Sequence, residues 1–167
     1  TSLGVYKTVN GGDNWNRVLS GNIKDIKMKP GDSSIWYAVT SDAVFRSSNS
    51  GDSFVLVNIS SLSGSGRLVL DVTPANSNYV YLLSSRNSSD REFNGLYRST
   101  DSGLSFTKMA ETENILESSQ AWYDLALGVS DTDENTVFVG CLNIWKTTDG
   151  GNNFSKLNNW SSPNDIN

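Results

Sequence analysis

Apolar residues along the chain fall in short runs with a period of two, separated by clusters rich in Gly, Asn, Asp and Ser. Ile26 and Met28, then Leu68, Leu70 and Val72, then Leu125, Leu127 and Val129 alternate with other residues, as strands with one buried face do. Each set is followed by a run that is apolar on both sides: Ile35-Trp36-Tyr37-Ala38-Val39, Tyr79 to Leu83, and Val137 to Val139. Strands covered on both faces read this way. No segment carries a helical period. The pattern predicts an all-β fold.

The same pattern also repeats. Four segments align without a gap: Gly4 to Trp15, Ala43 to Phe54, Gly95 to Phe106, and Asn143 to Phe154. Each runs small, aliphatic, aromatic, basic, Ser/Thr, any, Asn/Asp, Gly/Ser, Gly, two variable positions, aromatic. The recurring box is Thr8, Asn10, Gly12, Trp15; Ser47, Asn49, Gly51, Phe54; Ser99, Asp101, Gly103, Phe106; and Thr147, Asp149, Gly151, Phe154. It reads as a hairpin turn. The Asn or Asp side chain is expected to accept from backbone N–H groups two or three positions on. The glycine suits a left-handed position. A second landmark, a polar turn leading to an aromatic strand, recurs around Pro30, Pro74 and Asp131.

Together the landmarks predict four strands per unit: 23–29, 35–40, 43–47 and 54–58; 67–73, 79–84, 95–99 and 106–110; 122–129, 136–141, 143–147 and 154–158. Residues 4–8 and 15–19 supply the last two strands of a preceding unit. The boxes begin 39, 52 and 48 residues apart, the size of a propeller blade. The blade boundaries are therefore placed at 1–22, 23–58, 59–110 and 111–160, with 161–167 as a connection onward.

The box resembles the Asp-box (BNR repeat) of sortilin/VPS10-like β-propellers, and the stretch from Trp122 to Phe154 resembles large secreted bacterial propeller proteins. That resemblance implies a β-propeller segment of about three and a half four-stranded antiparallel blades. A ring needs roughly four to eight blades, so the expected partner is the remainder of the same propeller. The resemblance also implies a secreted or cell-surface setting and leaves two functions open. One is a binding or scaffold module for glycan or peptide ligands. The other is part of a glycoside hydrolase, xyloglucanase-like or sialidase-like, although no FRIP-like arginine motif or arginine triad is found here.

The spacings place the variable positions. Box start to box aromatic is always 7 residues, and turn landmark to strand aromatic is always 7. Box aromatic to the next landmark varies as 15, 20 and 25, and the second-to-third strand interval as 6, 14 and 5. In an up-and-down blade both variable connections emerge on one face, and such a face often carries binding. The ligand candidates there are Arg86, Asp90, Arg91 and Phe93, with Trp122, Tyr123 and Asp124. Arginines, carboxylates and aromatics bind sugars or peptides by paired hydrogen bonds and stacking. The boxes, on the opposite face, are expected to be structural. The in-register cations Lys7, Arg46, Arg98 and Lys146 are expected to be solvated. Asp71 and Asp124 are the weak candidates for an acid/base pair, sharing with Asp25 a parity opposite to the apolar positions of the first strand.

Composition narrows the chemistry. The chain has 167 residues and 37% apolar content, with 13 Lys+Arg against 18 Asp+Glu, a net charge of −5 and a pI near 4.6. That balance argues against nucleic acid. The absence of histidine removes Ser-His-Asp chemistry and His-ligated zinc from this stretch. The single Cys141 closes no internal disulfide. No apolar run approaches the roughly 18 residues of a membrane span. The segment Asp131-Thr-Asp133-Glu-Asn135 has Thr136 and Leu142 where a calcium loop needs glycine and glutamate. Gly64-Ser-Gly66 lacks the third glycine of a dinucleotide loop. Neither metal nor cofactor is expected. With no leader at Thr1 and a polar stretch at Asn167, the chain reads as an excerpt of a longer protein.

Overall fold

The alternating segments become fourteen strands in a computed structural model that describes residues 2–162. A two-stranded sheet pairs β1 (Gly4–Lys7) with β2 (Asn16–Ser20). Three four-stranded antiparallel sheets follow, each in sequential order. The first holds β3 (Asp25–Met28), β4 (Trp36–Val39), β5 (Val44–Ser47) and β6 (Val55–Val57). The second holds β7 (Ser65–Val72), β8 (Val80–Arg86), β9 (Phe93–Ser99) and β10 (Thr107–Lys108). The third holds β11 (Ala126–Val129), β12 (Val137–Gly140), β13 (Ile144–Thr147) and β14 (Ser155–Lys156). The first strands β3, β7 and β11 pack side by side, so the sheets radiate from them as blades. This is a β-propeller segment. Residues 163–167 of the expected onward connection lie outside the described residues.

Cores form between blades. Tyr37, Val39, Leu68, Leu70 and Leu82 fill the space between the first and second full sheets. Leu83, Leu96, Leu125, Val137 and Trp145 fill the space between the second and third. The fourth strands are shorter than the pattern predicts because they are edges, with side chains largely in water. Ile26 and Met28 alternate as expected yet stay exposed, for only the two strands β1 and β2 stand beside that flank.

Each box closes by the same bonds. The Ser/Thr hydroxyl donates to the Asn/Asp Oδ1 at 2.7–2.9 Å. It accepts from the glycine N–H at 2.8–3.1 Å. At Asp101 and Asp149 Oδ1 accepts from the N–H three residues on, as expected. In all four boxes it accepts from the N–H four residues on, at 2.9–3.1 Å, one position farther than expected. The reason is a second left-handed residue before the glycine: Gly11, Ser50, Ser102 and Gly150 all have φ between 59° and 73°. Two successive left-handed residues widen the turn.

Three of the four in-register cations are bound by the next blade rather than solvated; Lys146, in the last described blade, meets only the Phe138 ring among the described residues, 5.6 Å from its centre. Lys7 Nζ donates to the Ser50 carbonyl at 2.8 Å and to Asp52 at 2.6 Å. Arg46 Nε donates to the Ser102 carbonyl at 2.8 Å. Arg98 lies over Tyr79 with Nη1 where a side chain on Gly150 would stand. Each of these three cations thus reaches the left-handed residue in the next blade's box. That residue's own N–H donates to its blade's first turn: Ser50 to Ser34, Ser102 to Asn78, and Gly150 to Asn135. The box ties its own blade at the N–H, and at Ser50 and Ser102 it ties the preceding blade at the C=O.

Candidate functional site

The other ends of the blades carry the variable connections, and their contacts with one another define a loop face. The N–H of Asn87, in the β8–β9 hairpin, donates to the Gly64 carbonyl at 2.7 Å. Asn94 Nδ2 donates to the Ser63 carbonyl at 2.9 Å. Ser65 Oγ donates to the Ser41 carbonyl at 2.7 Å. The N–H of Phe93 donates to Asn114 Oδ1 at 3.0 Å. The connection between the expected strands 79–84 and 95–99 is shorter than the sequence indicates. Paired strands run to Arg86 and resume at Phe93, leaving 87–92 as the turn.

That shortening relocates one candidate. Phe93 is only 4% exposed and belongs to the core between the second and third blades, so its ring stabilises the fold rather than meeting a ligand. Arg86 is exposed at the strand end, with Nε 4.0 Å from Glu92. Asp90 sits at the exposed tip and accepts from Ser89 Oγ. Arg91 occupies a left-handed position, φ 51°.

The long connection 110–124 is anchored at several points. Ile115 and Leu116 are fully buried in the same core. Glu117 accepts from Asn143 Nδ2 at 2.6 Å and pairs with Lys156 at 2.8 Å. The Lys156 ammonium holds its carboxyl below the usual range. This connection presents Trp122 and Tyr123, which stand in a turn, since β11 begins at Ala126 and not at 122. Both rings are more than half exposed, with centroids 4.6 Å apart at 57°. Arg67 Nη1 holds the Trp122 carbonyl at 2.7 Å, and Tyr123 OH donates to Gln120 at 2.7 Å. The pair is a fixed aromatic ledge.

The structure does not bring Asp71 and Asp124 together. Asp71 Oδ2 accepts from the N–H of Val129 at 2.9 Å and Oδ1 lies 3.4 Å from Lys27. Asp25 accepts likewise from the N–H of Leu70. Their shared parity reflects one job, stapling neighbouring inner strands. Asp124 precedes β11 at its loop-face end and accepts from the Cys141 thiol at 2.9 Å. Val129, where Asp71 sits, is five residues farther along, roughly 15 Å of extended chain. An acid/base pair on a glycoside works at about 5–10 Å. Burial first, and the Asp124 carboxylate second, push the Cys141 thiol up to about 11, so it stays protonated at neutral pH.

A feature the sequence reading missed lies beside Arg86. An open groove is lined by Ser63, Gly64, Arg86, Asn87, Ser88, Asn94 and Lys108. Lys108 was findable, since it is the fourth-strand residue that follows the box of the blade with the longest hairpin. Asn94 falls between the expected strands 79–84 and 95–99, so the sequence gives no sign that it stands on a paired strand. No group of three His, Cys, Asp or Glu side chains that could hold a metal occurs among the described residues. No helix there is long and apolar enough to cross a membrane.

Neither a family model nor a characterised protein sequence matches the chain. Solved structures do match. An ancestral GH74 enzyme superposes with a TM-score of 0.72 at 21% identity, over 98% of this chain and 22% of that one. The GH74 xyloglucanase from Xanthomonas campestris gives 0.67 at 16%, over 97% and 28%. YCF48 bound to a D1 peptide gives 0.56 at 14%, over 83% and 40%. At these identities the likeness is one of fold. The chain spans about a quarter of the two GH74 structures.

Proposed function

We propose that this chain is a set of blades from a larger Asp-box propeller of the sortilin-like kind, secreted or displayed at the cell surface, whose loop face binds polysaccharide. The observation that carries this reading is the Trp122–Tyr123 ledge. Two adjacent aromatics more than half exposed, held by Arg67 and Gln120, form a surface on which sugar rings stack without first being ordered. The ledge shares its face with Arg86, Asp90 and Arg91, and the interior of each blade has no need of it. The remaining blades of the propeller are the partner that the open flank at Ile26 and Met28 would receive.

The test is an array of glycans and peptides on the full-length protein, with reducing-sugar release followed in parallel. Binding of oligosaccharides that falls with Trp122→Ala supports the reading, and peptide binding untouched by that change overturns it.

A second reading, a glycoside hydrolase, is favoured by the fold shared with GH74 enzymes. Asp71 is committed to Val129 and Lys27, so the carboxylates would come from blades beyond these, with Asp124 the local candidate. Sugar release that survives Asp124→Asn would place the whole acid/base pair elsewhere.

A further inference from the structure

Six of the thirteen Lys and Arg side chains are held by an acceptor or a carboxylate. Lys7, Lys29, Arg46 and Arg67 each donate to an acceptor in a neighbouring blade or turn, and Lys27 and Lys156 face carboxylates. The loop face of the second blade carries three others. Among the described residues, no hydrogen-bond acceptor meets the side chain of Arg86, Arg91 or Lys108. Arg86 has only Glu92, at 4.0 Å. Lys108 Nζ lies 5.8 Å from the centre of the Tyr97 ring. Arg91 Nη1 is packed against Gly66, where a methyl group would stand 2.6 Å from it and 2.7 Å from the Arg86 carbonyl.

Building on the reading of the loop face as glycan-binding, we propose that the groove beside Arg86 and Lys108 is a subsite for an acidic sugar. It would take a uronate carboxylate or a sulfate ester between the two cations. Three observations converge on this. First, no Asp or Glu lines the groove, although the chain carries a net charge of −5. A local positive site in an acidic protein draws an anionic group to one place. Second, every lining side chain is polar or charged. Hydroxyls and amides match the hydroxyl groups of a hydrated sugar. Third, the wall is built before any ligand arrives. The Asn94 amide nitrogen is held by the Ser63 carbonyl at 2.9 Å and by Ser84 Oγ at 3.0 Å, and the hairpin is closed onto Gly64 through Asn87. A guanidinium on such a wall can grip a carboxylate or sulfate in two-point fashion.

The experiment titrates the full-length protein with oligogalacturonate, a sulfated dextran oligosaccharide, neutral xyloglucan oligosaccharide and poly-glutamate, at low and high salt. The expected result is tighter, salt-sensitive binding of one acidic glycan, and which one binds identifies the anionic group. The double variant Arg86→Gln, Lys108→Gln should weaken that binding by roughly tenfold or more, leaving thermal stability unchanged. Equal binding of acidic and neutral glycans, indifferent to salt and to the double variant, overturns the subsite while the ledge stands if Trp122→Ala still weakens both. Preference for poly-glutamate over every glycan overturns it in favour of a peptide. Binding of no glycan at all overturns the ledge and the subsite together. Salt dependence is read on the unaltered protein, so the result does not depend on the variant folding.

Discussion

The two faces of these blades are built on opposite rules. On the box face every blade repeats one set of bonds: hydroxyl to Oδ1, glycine N–H to hydroxyl, and the left-handed residue's N–H to its own first turn. On the loop face no two blades agree. The first closes β4 to β5 with a tight turn held by Thr40. The second has the 87–92 hairpin over a polar groove, and the third receives a long connection that buries Ile115 and Leu116. Repetition marks the bonds that any blade needs against any neighbour. Variation marks what only one blade does, and that is where the ledge and the groove stand.

The comparison breaks most readily at the long connection, because there the loop face also holds up the fold. Leu116 is fully buried, so Leu116→Ala should cost about 2–5 kcal/mol of stability, the usual range for a large-to-small change in a core. Chemical denaturation of the full-length protein checks this. An unchanged midpoint would mean that 110–124 is a dispensable loop. The clasp between blades comes next. Arg46→Met removes the donor to the Ser102 carbonyl and leaves a carbonyl in a buried residue without it. A loss of about 1–3 kcal/mol is expected, measured the same way, and ligand affinity should not move.

The sequence showed the propeller more fully than the site, for a physical reason. A four-stranded blade needs period-two alternation and its boxes need Ser/Thr, Asn/Asp and Gly at fixed offsets, so both print directly into residue order. The ends of β8 and β9 do not. Ser85 and Phe93 pair across the hairpin although Arg86 to Glu92 between them reads as pure loop, and this hid Asn94 and misplaced Phe93. Parity grouped Asp25 with Asp71 correctly, but parity cannot say whether a carboxylate faces solvent or a neighbour's N–H. The contacts of Lys7 and Arg46 are illegible in the same way, since a single blade's sequence does not contain the acceptor that the next blade supplies.

The ledge sharpens the comparison from the other side. Trp122→Ala removes an exposed ring and should leave stability within about 0.5 kcal/mol while weakening glycan binding by about 1–3 kcal/mol. Melting temperature and affinity measured on one sample separate the two. A stability loss without an affinity loss would make the ledge part of the scaffold.

The smallest effect expected is a pH dependence that distinguishes one box from another. Asn10 and Asn49 make their turn bonds as neutral amides, whereas Asp101 and Asp149 make them as carboxylates. At Asp149 the Asn153 amide is the largest influence; with the Thr147 hydroxyl and two backbone N–H groups it outweighs partial burial and holds the carboxyl far below its usual range. At Asp101 burial pushes the pKa up, but bonds from Ser105, Ser99 and the N–H of Leu104 overcome it and the net shift is downward. A carboxyl depressed in the folded state contributes stability above its unfolded pKa of about 3.9. That contribution is lost as pH falls from there through the folded value. Asp101→Asn and Asp149→Asn should therefore melt slightly lower than the unaltered protein at pH 7 and converge with it in acid. Asn49→Asp should do the reverse, melting higher at pH 7 and losing the gain below about pH 4. Melting profiles that run parallel from pH 7 into acid would show that the box carboxylates act as neutral acceptors, and that the four boxes are alike in energy as well as in geometry.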